Sequence, residues 1–340
     1  MSLQIRAAQL KDLGAIEALY REHAQAPEHG FAASHALPRR QFASSRLWFL
    51  VNNTFASILP LTSAADHVYV AVGPRQGVQG FIQAETAPAG KHVWQVLNLS
   101  IRPELDRFQA GTALLDNLFN EGLRRGVFRF IVRLSVDDPM TDLFKARGFR
   151  AYATEHALLA DGVAARPTVD LDGWRPMRRE DELALYLLYR AVTPREVSAV
   201  EGATFREWRQ NFQHGSWTSR LPRATRPRQY VVDRVQVMGW MGITPGGGAR
   251  PNTLGLLALP EPSGLLDELV QRSLGYLAGH RPGPVWCSLR HYDERAIQLL
   301  QREGFEVIAS QVLMVRELAL KVPVRARVRV KDKALVPQYG

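Results

Sequence analysis

The chain has 340 residues, 46% hydrophobic and 22% charged, with a formal net charge of +10 and one cysteine, Cys287. That length exceeds a single hydrophobic core and points to two domains of ordinary globular composition, and a lone cysteine excludes a disulfide framework or a thiolate metal site. No apolar run reaches the roughly 18 residues that span a bilayer, and Met1-Ser2-Leu3-Gln4-Ile5-Arg6 lacks the basic and apolar regions of a signal peptide, so a cytoplasmic protein without membrane attachment is expected.

In chain order, the pattern predicts a short strand at 3–7 and a helix capped by Asp12, with Ile16, Leu19 and Tyr20 on one side. An irregular stretch at 27–38 holds His29 and His35, with His23 just before it. Strands follow at 46–51 and 67–72, a turn at 77–80 leads into a strand at 81–84, and a further strand covers 92–101. A loop from 103 to 110 opens a helix at 111–125, whose Leu114, Leu115, Leu118, Phe119 and Leu123 form an apolar face. An apolar strand at 128–134, a short helix at 140–147 ended by Gly148, and a strand at 152–159 complete a first unit, residues 1–162.

Residues 163–173 read as a linker, and the second unit, 174–320, repeats the order. It has a strand at 174, helices at 181–190 and near 205–212, and a hairpin at 229–243. A strand at 253–259, a helix at 264–277, a strand at 285–289, a helix at 294–303 and a strand at 306–315 follow. The residues themselves recur. Ile5-Arg6-Ala7-Ala8, Asp12 and Leu19-Tyr20-Arg21 return as Trp174-Arg175-Pro176-Met177, Asp181 and Leu188-Tyr189-Arg190, with Ile5 to Trp174 an offset of 169. Gly80-Phe81-Ile82 returns as Gly239-Trp240-Met241 at offset 159, and Gly148-Phe149 as Gly304-Phe305 at offset 156. An offset that shrinks in order along the chain indicates two copies of one fold, the second with fewer loop residues. A period this long is not that of a solenoid.

Residues 321–340 form a basic tail in which Arg325, Arg327, Arg329, Lys331 and Lys333 alternate with small apolar residues. Such a stretch suits a charge-guarded edge strand or a contact with an anion or nucleic acid. Elsewhere arginine is spread evenly, so nucleic acid is not an expected partner.

Hairpins followed by strand, helix, strand, helix, strand define an α/β class with a mixed sheet. The chemistry-bearing segment is 97–125. Ala110, Gly111 and Ala113 are small enough to let a ligand approach the backbone, at a helix start whose amides have no internal partner. Plain packing is the other reading of the same residues.

On this order of elements the chain resembles the GNAT N-acetyltransferase superfamily over both copies. The resemblance implies two tandem GNAT-like domains, each a mixed, mostly antiparallel sheet flanked by helices. In that family a loop of the form Arg/Gln-x-x-Gly-x-Gly/Ala binds the pyrophosphate of acetyl-CoA. It carries over to Phe108, Gln109, Ala110, Gly111, Thr112 and Ala113, with Phe108 where Arg or Gln is usual and Arg107 and Gln109 flanking it. The preceding strand usually lends backbone groups to the pantetheine arm, which carries over to Leu99, Ser100 and Ile101. Acetyl-CoA or another acyl-CoA is the implied co-substrate, a small-molecule or peptide amine the implied acceptor, with no metal, in a monomer or homodimer. A family tyrosine that protonates the departing thiolate falls at Phe144 in the first copy and Leu300 in the second. Asp137 and Asp293 stand where an asparagine is common.

In the second copy the loop shrinks to Glu261-Pro262-Ser263, where proline removes an amide and Glu261 opposes an anion. A degenerate C-terminal copy beside a working N-terminal one is the expectation. The implied function is direct acetyl transfer to an amine, and the alternative is a non-catalytic relic that binds acyl-CoA or a partner protein. Phe31 and His35 are candidates for the acceptor pocket and Glu85 for a base. Trp208 and Trp217 read as core and Cys287 as inert.

Overall fold

The structure is a computed structural model that describes residues 3–25, 30–32, 66–73, 77–88, 90–214, 227–246, 251–260, 264–280 and 283–318. The expected strand at 46–51, His29, His35, Trp217, Glu261-Pro262-Ser263 and the basic tail lie outside them.

The recurring residues build the same corner twice. Arg6 on β1 (Gln4–Ala7) donates from both terminal nitrogens to Asp12, at 2.6 and 2.9 Å, just before α1 (Leu13–Gln25). In the second copy Arg175 on β8 (Trp174–Pro176) donates to Asp181 at 2.7 Å from each nitrogen. Each aspartate also accepts a backbone N–H, from Gln9 and Arg178 respectively. A bidentate pair of this kind fixes orientation as well as contributing energy, which explains why both residues persist in both copies. The Arg6 hydrogen bond holds the Asp12 carboxyl below its ordinary range, and Arg175 does the same for Asp181.

Between these corners runs one 13-stranded sheet. In the N-terminal half β3 (Asp66–Val72), β4 (Val78–Thr86) and β5 (Val93–Ile101) are antiparallel neighbours, and β6 (Arg129–Ser135) lies parallel to β5. In the C-terminal half β9 (Arg228–Asp233), β10 (Val237–Thr244) and β11 (Asn252–Ala258) are antiparallel, and β12 (Val285–Arg290) lies parallel to β11. Helix α2 (Arg107–Arg124) and α3 (Thr141–Ala146) cover one face of the first half, burying Leu114, Leu115, Leu118, Leu143 and Phe144 against Ile82, Trp94, Leu99, Phe130 and Leu134. Helix α1 covers the other face, with Ile16, Leu19 and Tyr20 on Val70 and Phe81. In the second half the counterparts are α7 (Leu265–His280) and α8 (Glu294–Arg302) on one face. Helices α4 (Glu182–Val192) and α6 (Phe205–His214) cover the other, with Trp208 buried as expected.

The last strand of each copy is exchanged. β13 (Glu306–Glu317), from the C-terminal copy, pairs with β6, from Gln311 opposite Ser135 to Glu317 opposite Arg129. β7 (Arg150–Ala160), from the N-terminal copy, pairs with β12, from Val285 opposite Ala160 to Arg290 opposite Glu155. β7 and β13 then pair antiparallel with each other, Glu155 opposite Gln311, and join both halves into one sheet. Helix α5 (Arg195–Glu201), which the sequence reading missed, packs over this junction with Val197 and Val200 on Leu313 and Val315.

Beneath α5 lies a buried ionic network that crosses the copies. Glu155 receives Arg133 from β6 at 2.9 Å and Arg290 from β12 at 2.7 Å. Arg290 also reaches Glu201 at 2.8 Å, and the Tyr152 hydroxyl donates to Glu201 at 3.0 Å. Residues 161–173 form no helix or strand, and Arg166 anchors them by pairing with Glu303 at 2.7 Å.

Candidate functional site

The sequence-derived residues of the N-terminal copy come together at the end of β5 and the start of α2, but not as an open loop. The helix expected to open at Gly111 opens at Arg107, so Gly111, Thr112 and Ala113 lie inside it. The reason is Asp106, whose side chain accepts from the amides of Phe108 and Gln109 at 2.8 and 3.0 Å. An aspartate at this position is a strong N-cap, and its carboxylate takes the amides, and the dipole field, that an incoming anion would use. Phe108 is 41% exposed, and the Arg107 guanidinium lies 5.5 Å from its ring centre.

Gly111 is buried, and a Cβ there would collide with Leu143 Cδ2 of α3 and meet Ile101 Cδ1 at 3.3 Å. The small residue therefore serves the α2–α3 contact. Gly111→Ala is expected to lower stability by about 1–3 kcal/mol through overpacking, measured by urea unfolding, while acetyl-CoA affinity stays within twofold. A loss of affinity without a loss of stability would instead make Gly111 a ligand contact.

The parallel β5–β6 pairing holds only from Val93/Arg129 to Val96/Val132, after which the strands part. The edge of β5 beyond that point carries β2 (Gly30–Ala32), with Gly30 opposite Ser100 and Phe31 opposite Leu99. Leu99 and Ser100 are thus paired on both sides, since Ile82 and Phe81 of β4 stand on the other. Leu99, Ser100 and Ile101 are all buried, and the Ser100 hydroxyl has no hydrogen-bond partner among the described residues. Phe144 is fully buried, edge-on to Phe149 at 5.1 Å, and Leu300 is fully buried in the other core. Neither donates a proton. Glu85 is half-buried on β4, and Cys287 is buried, with burial pushing its thiol far above the ordinary range.

Among the described residues, the corresponding place in the C-terminal copy is open. β11 and β12 are in register only from Asn252/Val285 to Leu254/Cys287 and then diverge. β11 continues along β10 to Ala258, which leaves its other edge, Gly255 to Ala258, without a strand partner among the described residues. A cleft of about 250 Å³ fills the divergence. Its walls are Leu256 to Pro260 of β11 and the turn after it, Gly264 and Leu266 at the start of α7, Leu289 of β12, and Ala191 and Val192 of α4. Tyr292, Asp293, Arg295 and Ala296 close the end formed by α8. The lining is mostly apolar with a few polar groups, the usual make-up of a small-molecule site. Gly264 takes φ +75°, so the helix it precedes has no capping side chain at that residue.

The two turns before α3 and α8 match each other, with one correction to the sequence alignment. Asp138, not Asp137, is the structural counterpart of Asp293. Asp138 N–H bonds to Ser135 O and Asp293 N–H to Arg290 O, closing equivalent turns. Each carboxylate accepts one backbone N–H, from Met140 at 2.8 Å and from Arg290 at 3.1 Å. Burial raises both carboxyls to about 6, outweighing those hydrogen bonds. In the sequence, Glu261-Pro262-Ser263 speak against a ligand in this copy, and the cleft becomes visible only from strand pairing, which local residue patterns do not display.

No family profile and no curated protein matches the sequence. Solved structures do. A GCN5-related N-acetyltransferase from Sphaerobacter thermophilus aligns with TM-score 0.57 and 14% identity over 94% of this chain and 97% of that one. A tandem GNAT protein from the clavulanic acid biosynthesis pathway aligns with TM-score 0.51 and 16% identity over 94% and 100%. A GCN5-related glucosamine N-acetyltransferase region of a fungal multi-domain GH3 β-N-acetylglucosaminidase aligns with TM-score 0.60 and 13% identity, over 93% of this chain and 38% of that one. The chain therefore has the tandem GNAT fold, as the sequence resemblance implied. Among the described residues no helix is long and apolar enough to cross a membrane, and no cluster of metal-binding side chains occurs.

Proposed function

We propose that this protein transfers an acyl group from an acyl-CoA thioester directly to an amine, and that the donor lies in the cleft of the C-terminal copy. One observation supports the placement: among the described residues the edge of β11 from Gly255 to Ala258 has no strand partner, and it lies beside a largely apolar cleft at the divergence of β11 and β12. A pantetheine arm is an extended chain with two amides, and an unpaired strand edge offers it backbone partners as it would a peptide. The N-terminal copy, where the sequence motif pointed, fits the donor less well, because Asp106 caps the helix and β2 occupies the strand edge.

The arrangement favours proximity. The cleft walls include Leu256, which packs in the core under α7 and α8, and Leu257 and Leu259, which pack under α4, so a donor and an acceptor entering from opposite faces of the sheet would meet. With Phe144 and Leu300 buried, neither copy supplies the family's proton donor to the thiolate, which removes a contribution of about 10²–10⁴ in rate. The departing thiolate takes its proton from the attacking nitrogen instead.

Calorimetric titration with acetyl-CoA tests the reading. Binding is expected at one site per chain, on the order of micromolar, or about −8 kcal/mol. Ala191 is exposed at the rim of the cleft, so Ala191→Trp blocks the mouth without disturbing the core and is expected to weaken binding at least about tenfold, or 1.4 kcal/mol. Gln109→Glu at the start of α2 is expected to leave it unchanged. The absence of binding to the unmodified protein would sink the reading in favour of a partner-binding relic.

A further inference from the structure

Resting on that reading, we infer that Asp293 is the acceptor-side catalytic residue: it receives the ammonium group of the amine and removes its proton. Three residues on the cleft wall ionise, and two are already engaged. Arg295 pairs with Asp267 at 2.6 Å. The Tyr292 hydroxyl is hydrogen-bonded to Thr193, and burial raises it above the ordinary range. Asp293 accepts one backbone N–H, from Arg290, and keeps acceptor capacity for a ligand.

Asp293 lines a cleft whose walls are mostly apolar apart from Tyr292 and Arg295, and it is the one carboxylate among the described lining residues, so an ammonium group there would meet a negatively charged partner. Arg290 and His291 both favour its ionised form, less strongly than burial opposes it, and the Arg290 guanidinium is already held by Glu155 and Glu201 at 2.7 and 2.8 Å. Its carboxyl, raised to about 6 by burial, is ionised at neutral pH yet basic enough to accept a proton. The position is distinct from both sites where the sequence resemblance places acid–base groups, Glu85 and Phe144.

The step balances as follows. An amine arriving as R–NH₃⁺ gives one proton to the Asp293 carboxylate. The freed lone pair forms a C–N bond to the thioester carbonyl carbon, and the C–S bond breaks. A second nitrogen proton leaves with the thiolate as the free thiol, the third stays on the amide, and Asp293 returns its proton to water.

Bromoacetyl-CoA tests the geometry without knowledge of the natural amine. A thiol placed where the amine should stand displaces bromide and forms a thioether. In the full-length Asp293→Cys protein, one adduct per chain is expected by mass spectrometry. Labelling should be at least about 100-fold faster than with bromoacetamide, through the raised effective concentration, and should be slowed by excess CoA. Cys287 is buried and stays unlabelled. Tyr292→Cys is the companion should the Asp293 variant fail to fold, and Gln109→Cys reports on the N-terminal copy.

Unlabelled cysteines at 292 and 293, in a protein whose acetyl-CoA binding Ala191→Trp abolishes, would overturn the role of Asp293 and leave the proposed function standing. Labelling at Gln109→Cys, with Ala191→Trp silent, would move the donor to the N-terminal copy and overturn both placements. No acetyl-CoA binding at all would overturn the proposed function and this inference with it.

Discussion

Arg290→Ala is expected to destabilise the protein by about 3 kcal/mol, the low end of the cost of breaking a buried ion pair, because it takes one of two cations from buried Glu155 and the guanidinium from partly buried Glu201. Glu155 is 3% exposed and retains Arg133 at 2.9 Å, whereas Glu201 retains only the Tyr152 hydroxyl among the described residues, so the larger loss falls on Glu201. The effect should reach both copies. Arg290 belongs to β12, Glu155 to the exchanged β7, and α5 over the junction carries Glu201. Urea unfolding followed by tryptophan fluorescence and by far-ultraviolet circular dichroism should show one transition shifted to lower denaturant by both probes. Two separated transitions would mean that the halves are independent. Replacing Arg290 by Met together with Glu201 by Gln removes that pair while Glu155 keeps Arg133, and should recover part of the loss.

The second large effect is on the pH dependence of stability. Asp138 and Asp293 are held at about 6 by burial, against an ordinary value of 3.8. A carboxyl whose value is raised on folding binds its proton more tightly in the folded chain. Its contribution to stability is complete below about pH 4, falls as pH rises through 6, and becomes a penalty for the ionised form above that. A rise from 3.8 to about 6 is roughly two pH units, so each group costs about 1–3 kcal/mol at neutral pH, with the half-buried setting favouring the lower part of the range. Asp138→Asn and Asp293→Asn keep an oxygen to accept the N–H of Met140 and of Arg290. The double variant should be more stable than the parent at pH 8 and no more stable at pH 4, read from urea midpoints. Parallel curves for the two proteins across that range would show that the carboxyls titrate normally.

Much of the fold was legible in the sequence because it rests on local patterns. The Arg6–Asp12 and Arg175–Asp181 corners recur as residues, and apolar spacing at 3.6 residues located α2 from Leu114 to Phe119. The start of α2 was misplaced by four residues for a physical reason. Small residues at 110 to 113 serve equally well in a ligand loop and in a tight helix contact, and Asp106, a cap signal, was passed over. Helix α5 was missed although Pro194 and Gly202 bracket it. The strand exchange left no local trace. β7 and β13 carry similar patterns, so either satisfies the edge of β6, and the choice is made by pairings 147 to 188 residues apart. The charged residues Arg133, Glu155 and Arg290 were the available hint, since buried ions are unusual unless they pair. For the candidate site, the motif lies in the copy whose loop composition suits a ligand, whereas the copies differ in a property of three-dimensional pairing: both pairs of parallel strands diverge, but β2 fills the edge of β5 and no described strand fills that of β11.

The exchanged strands also decide what happens if the polypeptide is cut. Asp161 and Gly162 are exposed just after β7, and a protease that severed the chain there would release neither fragment. Each piece would still own a strand inserted in the other's half of the sheet, and parting them would require β6, β7, β12 and β13 to unzip together. The nicked protein should therefore migrate as one particle under native conditions and as two in denaturant. In the uncut chain the same tether makes assembly a first-order event, indifferent to dilution, as for two partners linked at high effective concentration.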